Sequence, residues 1–197
     1  AILPRLRELT VEIPGRWDFG FIRCFHGLHE LTIVSATFSD MDMVSMMRHL
    51  RELDVSRTRV ARLTGLKGLE RLRELDLTNT KVDDIAVLAG LKGLRTLKME
   101  GLKLPSYAPL AGLKYLAWLD ADVPKDGDLS PLAGKQHLDT LMIEGGKVNS
   151  LEPLFPLIEG RSLRFLSMIQ VEVKSLPEGL VFDRYGFIMN YRKWREG

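Results

Sequence analysis

The side chains best suited to nucleophilic or metal chemistry are few: four histidines, His26, His29, His49 and His137, and a single cysteine, Cys24. A metal site needs several such ligands at the short spacings that one turn or one helix face brings together. None of these histidines has that spacing to another His, Cys or carboxylate. Cys24 has no motif around it, and a lone Cys in an apolar stretch packs as a small hydrophobe. Gly65-Leu-Lys-Gly68 and Gly90-Leu-Lys-Gly93 share glycines with a phosphate-binding loop but not its spacing. Carboxylates are plentiful because the chain copies itself. These residues predict no catalytic constellation, no metal and no cofactor, and so a protein that is not an enzyme.

The copying is the dominant feature. The segment Leu72-Arg-Glu-Leu75-Asp-Leu77 has counterparts starting at Leu6, Leu28, Leu50, Leu94, Leu116 and Leu138, each 22 residues from the last, and at Leu163 after 25. Self-similarity at a fixed period marks a repeat architecture. In each unit positions 1, 4 and 6 are apolar (Leu28/Leu31/Ile33, Leu94/Leu97/Met99, Leu116/Leu119/Ala121). The step of two between positions 4 and 6 is that of a short strand with one buried face, which must stack on its neighbours to bury a core. Positions 14, 17 and 20 are apolar at a spacing of three (Leu63/Leu66/Leu69, Tyr107/Leu110/Leu113), except that Lys135 ends the series Leu129/Leu132. That spacing suits 3₁₀ turns.

Pro109, Pro131 and Pro153 at position 16 disfavour regular α-helix. The first two units lack this proline, and Ser39 or Asp40 is placed to cap a short α-helix there. Position 9 holds Thr58 and Thr80 in two units and apolar or small residues elsewhere, so hydrophobic packing is expected to carry those turns. The methionine-rich stretch Met41, Met43, Met46 and Met47 reads either as core, for Met41 and Met47, or as an adaptable binding surface. Trp17, Phe19, Phe21 and Phe25 read either as core or as cover for an upstream repeat. Residues 1–184 are predicted to form one solenoid of eight units. Residues 185–197 are predicted to form a degraded ninth strand (Tyr185, Ile188, Asn190) and a cap that includes Phe187 and Trp194. Leu3-Pro-Arg-Leu6 looks like the tail of an earlier repeat, which leads us to expect a longer or processed protein.

The segments Lys81-Val-Asp-Asp-Ile85-Ala-Val-Leu88-Ala-Gly-Leu91, Tyr107-Ala-Pro109-Leu110-Ala-Gly-Leu113 and Leu129-Ser-Pro131-Leu132-Ala-Gly resemble the leucine-rich-repeat superfamily. The resemblance extends over essentially the whole chain, and is to the 22-residue type of bacterial internalins and of protein-phosphatase-1 regulatory repeat proteins. It implies an α/β repeat solenoid, a right-handed horseshoe with a concave parallel sheet and convex 3₁₀ or short helical turns. It also implies a role in binding other proteins, without naming the partner.

On such a strand positions 3, 5 and 7 point away from the core. In the first four units position 3 reads Glu8, Glu30, Glu52 and Glu74, and the arginines at position 2 (Arg7, Arg51, Arg73, Arg95) are expected to offset the repulsion. The later units place Trp118, Met142, Phe165 and Ile169 on this face beside Asp120, Asp122 and Glu144. Grouped apolar residues at exposed positions mark an interface, and these seven are the candidate partner-binding site. The competing reading is that they stack on one another or lie under the C-terminal tail. The expected partner surface is apolar with basic residues around it.

Position 10 reads Arg59, Lys81, Lys103, Lys125 and Lys147, a cationic column along one rim. It is an alternative site for RNA, a phosphorylated partner or an acidic membrane surface. The formal net charge of only +2 weighs against nucleic acid. A further alternative makes this segment the recognition domain of a longer signalling or effector protein. No run approaches the length of a membrane span. The single cysteine and the lack of a visible signal peptide favour an intracellular setting.

Overall fold

The structure, a computed structural model, describes residues 5–175. Eight strands form one parallel sheet in chain order: β1 (Glu8–Glu12), β2 (Glu30–Val34), β3 (Glu52–Asp54), β4 (Glu74–Asp76), β5 (Thr96–Met99), β6 (Trp118–Asp122), β7 (Thr140–Glu144) and β9 (Phe165–Ile169). Each begins at position 3 of its unit, and the register joins equal positions, as in Leu53↔Leu75, Leu75↔Leu97 and Leu97↔Leu119. The longer step is absorbed without a slip, since Leu141 still meets Leu166. Beyond the strands, β8 (Lys147–Val148) and β10 (Glu172–Val173) pair as a second, two-stranded parallel sheet.

The return path of each of the first seven units carries a 3₁₀ turn over positions 15–17, such as Thr64–Leu66, Ala108–Leu110 and Ser130–Leu132. Most predicted core positions are buried between sheet and turns, with Leu28, Leu50, Leu72, Leu94 and Leu116 shielded completely, whereas in the first unit Leu6 is exposed and Leu9 and Phe25 are only partly buried. A fully buried leucine contributes about 1.5–3 kcal/mol, and the repeat supplies one at nearly every turn. Met41, Met43, Met47 and Phe19 join this core, while Trp17, Phe21 and Met46 are exposed on the early returns.

Some of these expectations need correction. The second unit forms no α-helix: its return is the 3₁₀ turn Asp42–Val44, and Asp40 Oδ1 accepts the Asp42 N–H at 2.9 Å to start it. The α-helix among the described residues, α1 (Phe155–Glu159), lies instead in the seventh unit, directly after the turn that contains Pro153. The three extra residues of that unit are wound into it, and Pro156 stands at its start, where a missing N–H costs nothing. Thr58 and Thr80 are not left to apolar packing, because their buried hydroxyls donate to the carbonyls of Val55 (2.6 Å) and Leu77 (2.8 Å).

Lys135 occupies its leucine slot as a buried lysine, 3% exposed. Nζ donates to the carbonyls of Leu110 (2.7 Å), Leu113 (3.0 Å) and Ala111 (3.4 Å) in the preceding unit. Burial pushes its pKa down to about 8, against the pull of those three acceptors. The predicted ninth strand and cap, with Phe187 and Trp194, lie outside the described residues.

A column that the sequence reading missed starts most of the returns. At position 13, Asp18, Asp40, Asp84, Ser106, Asp128 and Ser150 each accept the backbone N–H two residues on, at 2.8–3.1 Å. A short polar side chain there satisfies one of the orphan donors of the turn. Its signal was the recurrence of Asp or Ser at the repeat step.

Candidate partner-binding face

The concave face has two halves with different chemistry. In the first half Glu8, Glu30, Glu52 and Glu74 stand in register on neighbouring strands. The arginines at position 2 do not pair with them, and no Arg–Glu ion pair joins the two columns among the described residues. Adjacent positions leave a strand in different directions, so the guanidinium groups turn to the rim while the carboxylates face the concavity. The Glu52 carboxyl is accordingly pushed above its ordinary range, first by burial and then by Glu74, Glu30 and Glu8. Asp54 and Asp76 are partly occupied, since each holds a turn N–H, from Ser56 and Thr78.

In the second half Trp118, Thr140 and Phe165 form one column, Asp120, Met142 and Ser167 the next, and Asp122, Glu144 and Ile169 the third. Trp118 and Ile169 are 41% and 44% exposed, Phe165 is also exposed, and Met142 is half-buried. Two strand spacings, about 9–10 Å, separate the rungs of Trp118 and Phe165, with Thr140 between them.

Asp120 is half-buried beside Trp118, and burial followed by Glu100 and Asp76 raises its carboxyl pKa, opposed by Lys98. Its register neighbour Lys98 pairs instead with Asp76, at 3.4 Å. The side chain of Asp120 makes no hydrogen bond or ion pair among the described residues. Asp122 differs: Oδ1 accepts the Gly101 N–H at 3.0 Å, and its carbonyl accepts the hydroxyl of fully buried Tyr107 at 2.5 Å. It serves the turn between units. Glu144 is exposed.

The strand-exit rim carries Arg59, Lys81, Lys103, Lys125 and Lys147, all exposed. Lys147 is engaged with Glu172 across β8 and β10 at 2.9 Å. Among the described residues no group of three or more His, Cys, Asp or Glu could hold a metal ion. No helix among them is long and apolar enough to cross a membrane.

The family model for Leucine Rich repeats (2 copies) matches residues 48–92. A search of curated proteins found no match. Among solved structures, an internalin of Listeria monocytogenes superposes with a TM-score of 0.74 at 24% identity, over 80% of this chain and 46% of that one. Internalin C2 of the same organism gives 0.72 at 26% identity, over 78% of this chain and 67% of that one. A leucine-rich-repeat protein of Leptospira interrogans gives 0.70 at 20% identity, over 88% of this chain and 45% of that one. The chain thus spans about half the length of two of these three. Proteins of this kind are typically interaction scaffolds without enzymatic activity. The in-register ladder of apolar strands, the 3₁₀ returns and these likenesses together show a leucine-rich-repeat solenoid similar to those of internalins, with residues 48–92 matching the repeat family itself.

Proposed function

We propose that the chain binds a partner protein on the C-terminal half of its concave face, with Trp118 as the anchor. The observation that carries this reading is an exposed tryptophan beside a half-buried carboxylate, Asp120, whose side chain makes no hydrogen bond or ion pair among the described residues. Aromatic anchors next to desolvated polar groups are where binding energy concentrates. Met142 and Ile169 extend the apolar surface on the neighbouring strands, and Glu144 adds a charge at its edge. The complementary surface presents an apolar group flanked by Arg or Lys. Phe165 lies at the far side of the same patch, and Asp122 supports the site from the turn. The solenoid of the described residues is the scaffold for this face, and no step of chemistry is assigned to it.

The test is a pull-down from native extract at two salt concentrations, comparing wild type, Trp118→Ala/Ile169→Ser and Asp120→Asn. Melting curves establish that all three are folded. A protein retained by the wild type and lost by the double variant is expected, with a loss of at least about 2 kcal/mol for Trp118 once the pair is purified. Equal retention by all three would sink the site assignment. Acidic material released by salt from all three alike would move the function to the strand-exit rim.

A further inference from the structure

The rim where the strands begin is as basic as the rim where they end, and its charges converge. Position 2 residues are linked rung to rung through the backbone: the N–H groups of Arg51, Arg73 and Arg95 donate to the carbonyls of His29, Arg51 and Arg73 at 2.7–2.8 Å. Arg51, Arg73 and Arg95 therefore stand on consecutive strands, about 4.8 Å apart at the backbone. The preceding position adds Arg71, whose Nη1 donates to Nδ1 of His49 at 2.9 Å. A guanidinium can only donate, so Nδ1 of His49 is the acceptor and its ring points into the cluster. His29 and His49 lie against each other with ring centroids 6.2 Å apart. Arg51, Arg71, Arg73 and Arg95 line an open depression of about 560 Å³ in which Glu74 is the one carboxylate.

Two further facts separate this cluster from an ordinary solvated rim. Some other arginines are already engaged, Arg7 with the Gly27 carbonyl, Arg48 with that of Gly68 and Arg164 with Asp139, and those without a side-chain partner, such as Arg59 and Arg62, do not line this depression. Arg73 is also partly engaged, with the carbonyls of Glu70 and Leu72 at 3.0 Å. The side chains of Arg51 and Arg95 have no hydrogen bond or ion pair among the described residues, although both line the depression. The positive field is also felt locally. The imidazole of His29 is held below its ordinary pKa, first by desolvation and then by Arg7, Arg51, His49 and Arg71.

We propose that this depression is an anion site for a ligand carrying two or more phosphate groups, gripped by Arg51, Arg71 and Arg95 with Arg73 at its floor. The guanidinium fork matches phosphate oxygens two at a time. The rung spacing argues for phosphates over an acidic peptide. Same-face carboxylates of an extended chain recur at about 6.8 Å, out of step with arginines about 4.8 Å apart, whereas each phosphate brings nearly two charges to one or two rungs. The glutamate column beside the cluster confines such a ligand to the rim side.

The experiment is a calorimetric titration of the full chain with inositol hexakisphosphate and with inorganic pyrophosphate. It compares wild type, Arg51→Gln/Arg71→Gln/Arg95→Gln, and Lys81→Gln/Lys103→Gln/Lys125→Gln on the opposite rim. Arg73 is left in place because it holds backbone carbonyls. The arginine variant is expected to lose at least tenfold in affinity, the lysine variant less than twofold, and Trp118→Ala nothing. Equal losses in the two triple variants would overturn the proposal by showing a response to net charge alone, as would the absence of binding to wild type. Tighter binding to a homopolymer RNA than to inositol hexakisphosphate, abolished by the arginine variant, would also overturn it in favour of nucleic acid. Vesicles containing a phosphatidylinositol bisphosphate, set against phosphatidylserine vesicles, distinguish a membrane headgroup from a free polyphosphate, and either source upholds the site.

Discussion

The two halves of the solenoid share one core and carry opposite faces. Leu53 and Leu119 occupy the same position two and five strands into the sheet, and both are sealed from water. One residue before them the first half presents Glu52 and the second Trp118. The backbone hydrogen bonds are the same type in both places, so nothing in the sheet itself requires the change. The lesson is that in a repeat protein the buried positions are constrained by their neighbours above and below, while the outward columns are free to diverge. A stretch where an outward column switches from charged to aromatic is therefore informative about binding in a way that a buried leucine is not.

This comparison can be broken most directly at the core. Leu53→Ala and Leu119→Ala should each cost about 2–5 kcal/mol, because each leaves a cavity that the stacked strands cannot close. Urea denaturation of the two variants measures it. A cost below about 1 kcal/mol in one half alone would show that the halves do not share a core of equal quality.

A smaller effect, of opposite sign, is expected at the one core slot that holds a charge. Lys135→Met should stabilise by about 1 kcal/mol or more, since a well-packed apolar side chain replaces a buried ammonium. The wild type supplies its own control. Folded Lys135 releases its proton near pH 8, whereas the unfolded chain keeps it to about 10.5. Between those values the unfolded state binds more protons, so wild-type stability should rise with pH across that window. The variant should lack that rise, and urea midpoints at pH 7 and pH 9.5 would show it. Parallel behaviour of the two proteins would mean that the three carbonyls hold the proton against burial.

Removal of one cap, Asp84→Ala, should cost about 1 kcal/mol. The same change at Asp128, in the other half, should match it, as thermal melts of both would show. Last comes the face itself. Glu52→Gln should stabilise by a few tenths of a kcal/mol, because like charges on adjacent rungs repel. The folded carboxyl binds its proton more tightly than the unfolded one, so the repulsion is absent below the ordinary value of 4.5 and grows as pH rises through the raised folded value. The difference between variant and wild type should accordingly widen from pH 4 to pH 7. No widening would mean that the stacked glutamates do not repel one another in the folded chain.

Much of this was legible before any coordinates. A step of 22 residues determined the order and register of the strands in the eight-stranded sheet, the leucines that seal the core and the columns that face outward, but not the small β8–β10 sheet. It did so because burial in a stacked repeat depends only on position within the unit. Trp118, Ile169 and Phe165 were placed on the exposed face by the same alternation, and the structure leaves them there. What the tertiary structure alone decided was polar partnership. Arg73 turns to the carbonyls of Glu70 and Leu72 and not to a glutamate, Asp122 holds Gly101 and so is not a free surface charge, and Lys135 reaches three carbonyls of the unit before it. Periodicity says on which side a side chain leaves the backbone. A hydrogen bond requires a donor and an acceptor to meet within about 3 Å, and that meeting depends on side-chain reach and on the bend between units, neither of which repeats with the sequence.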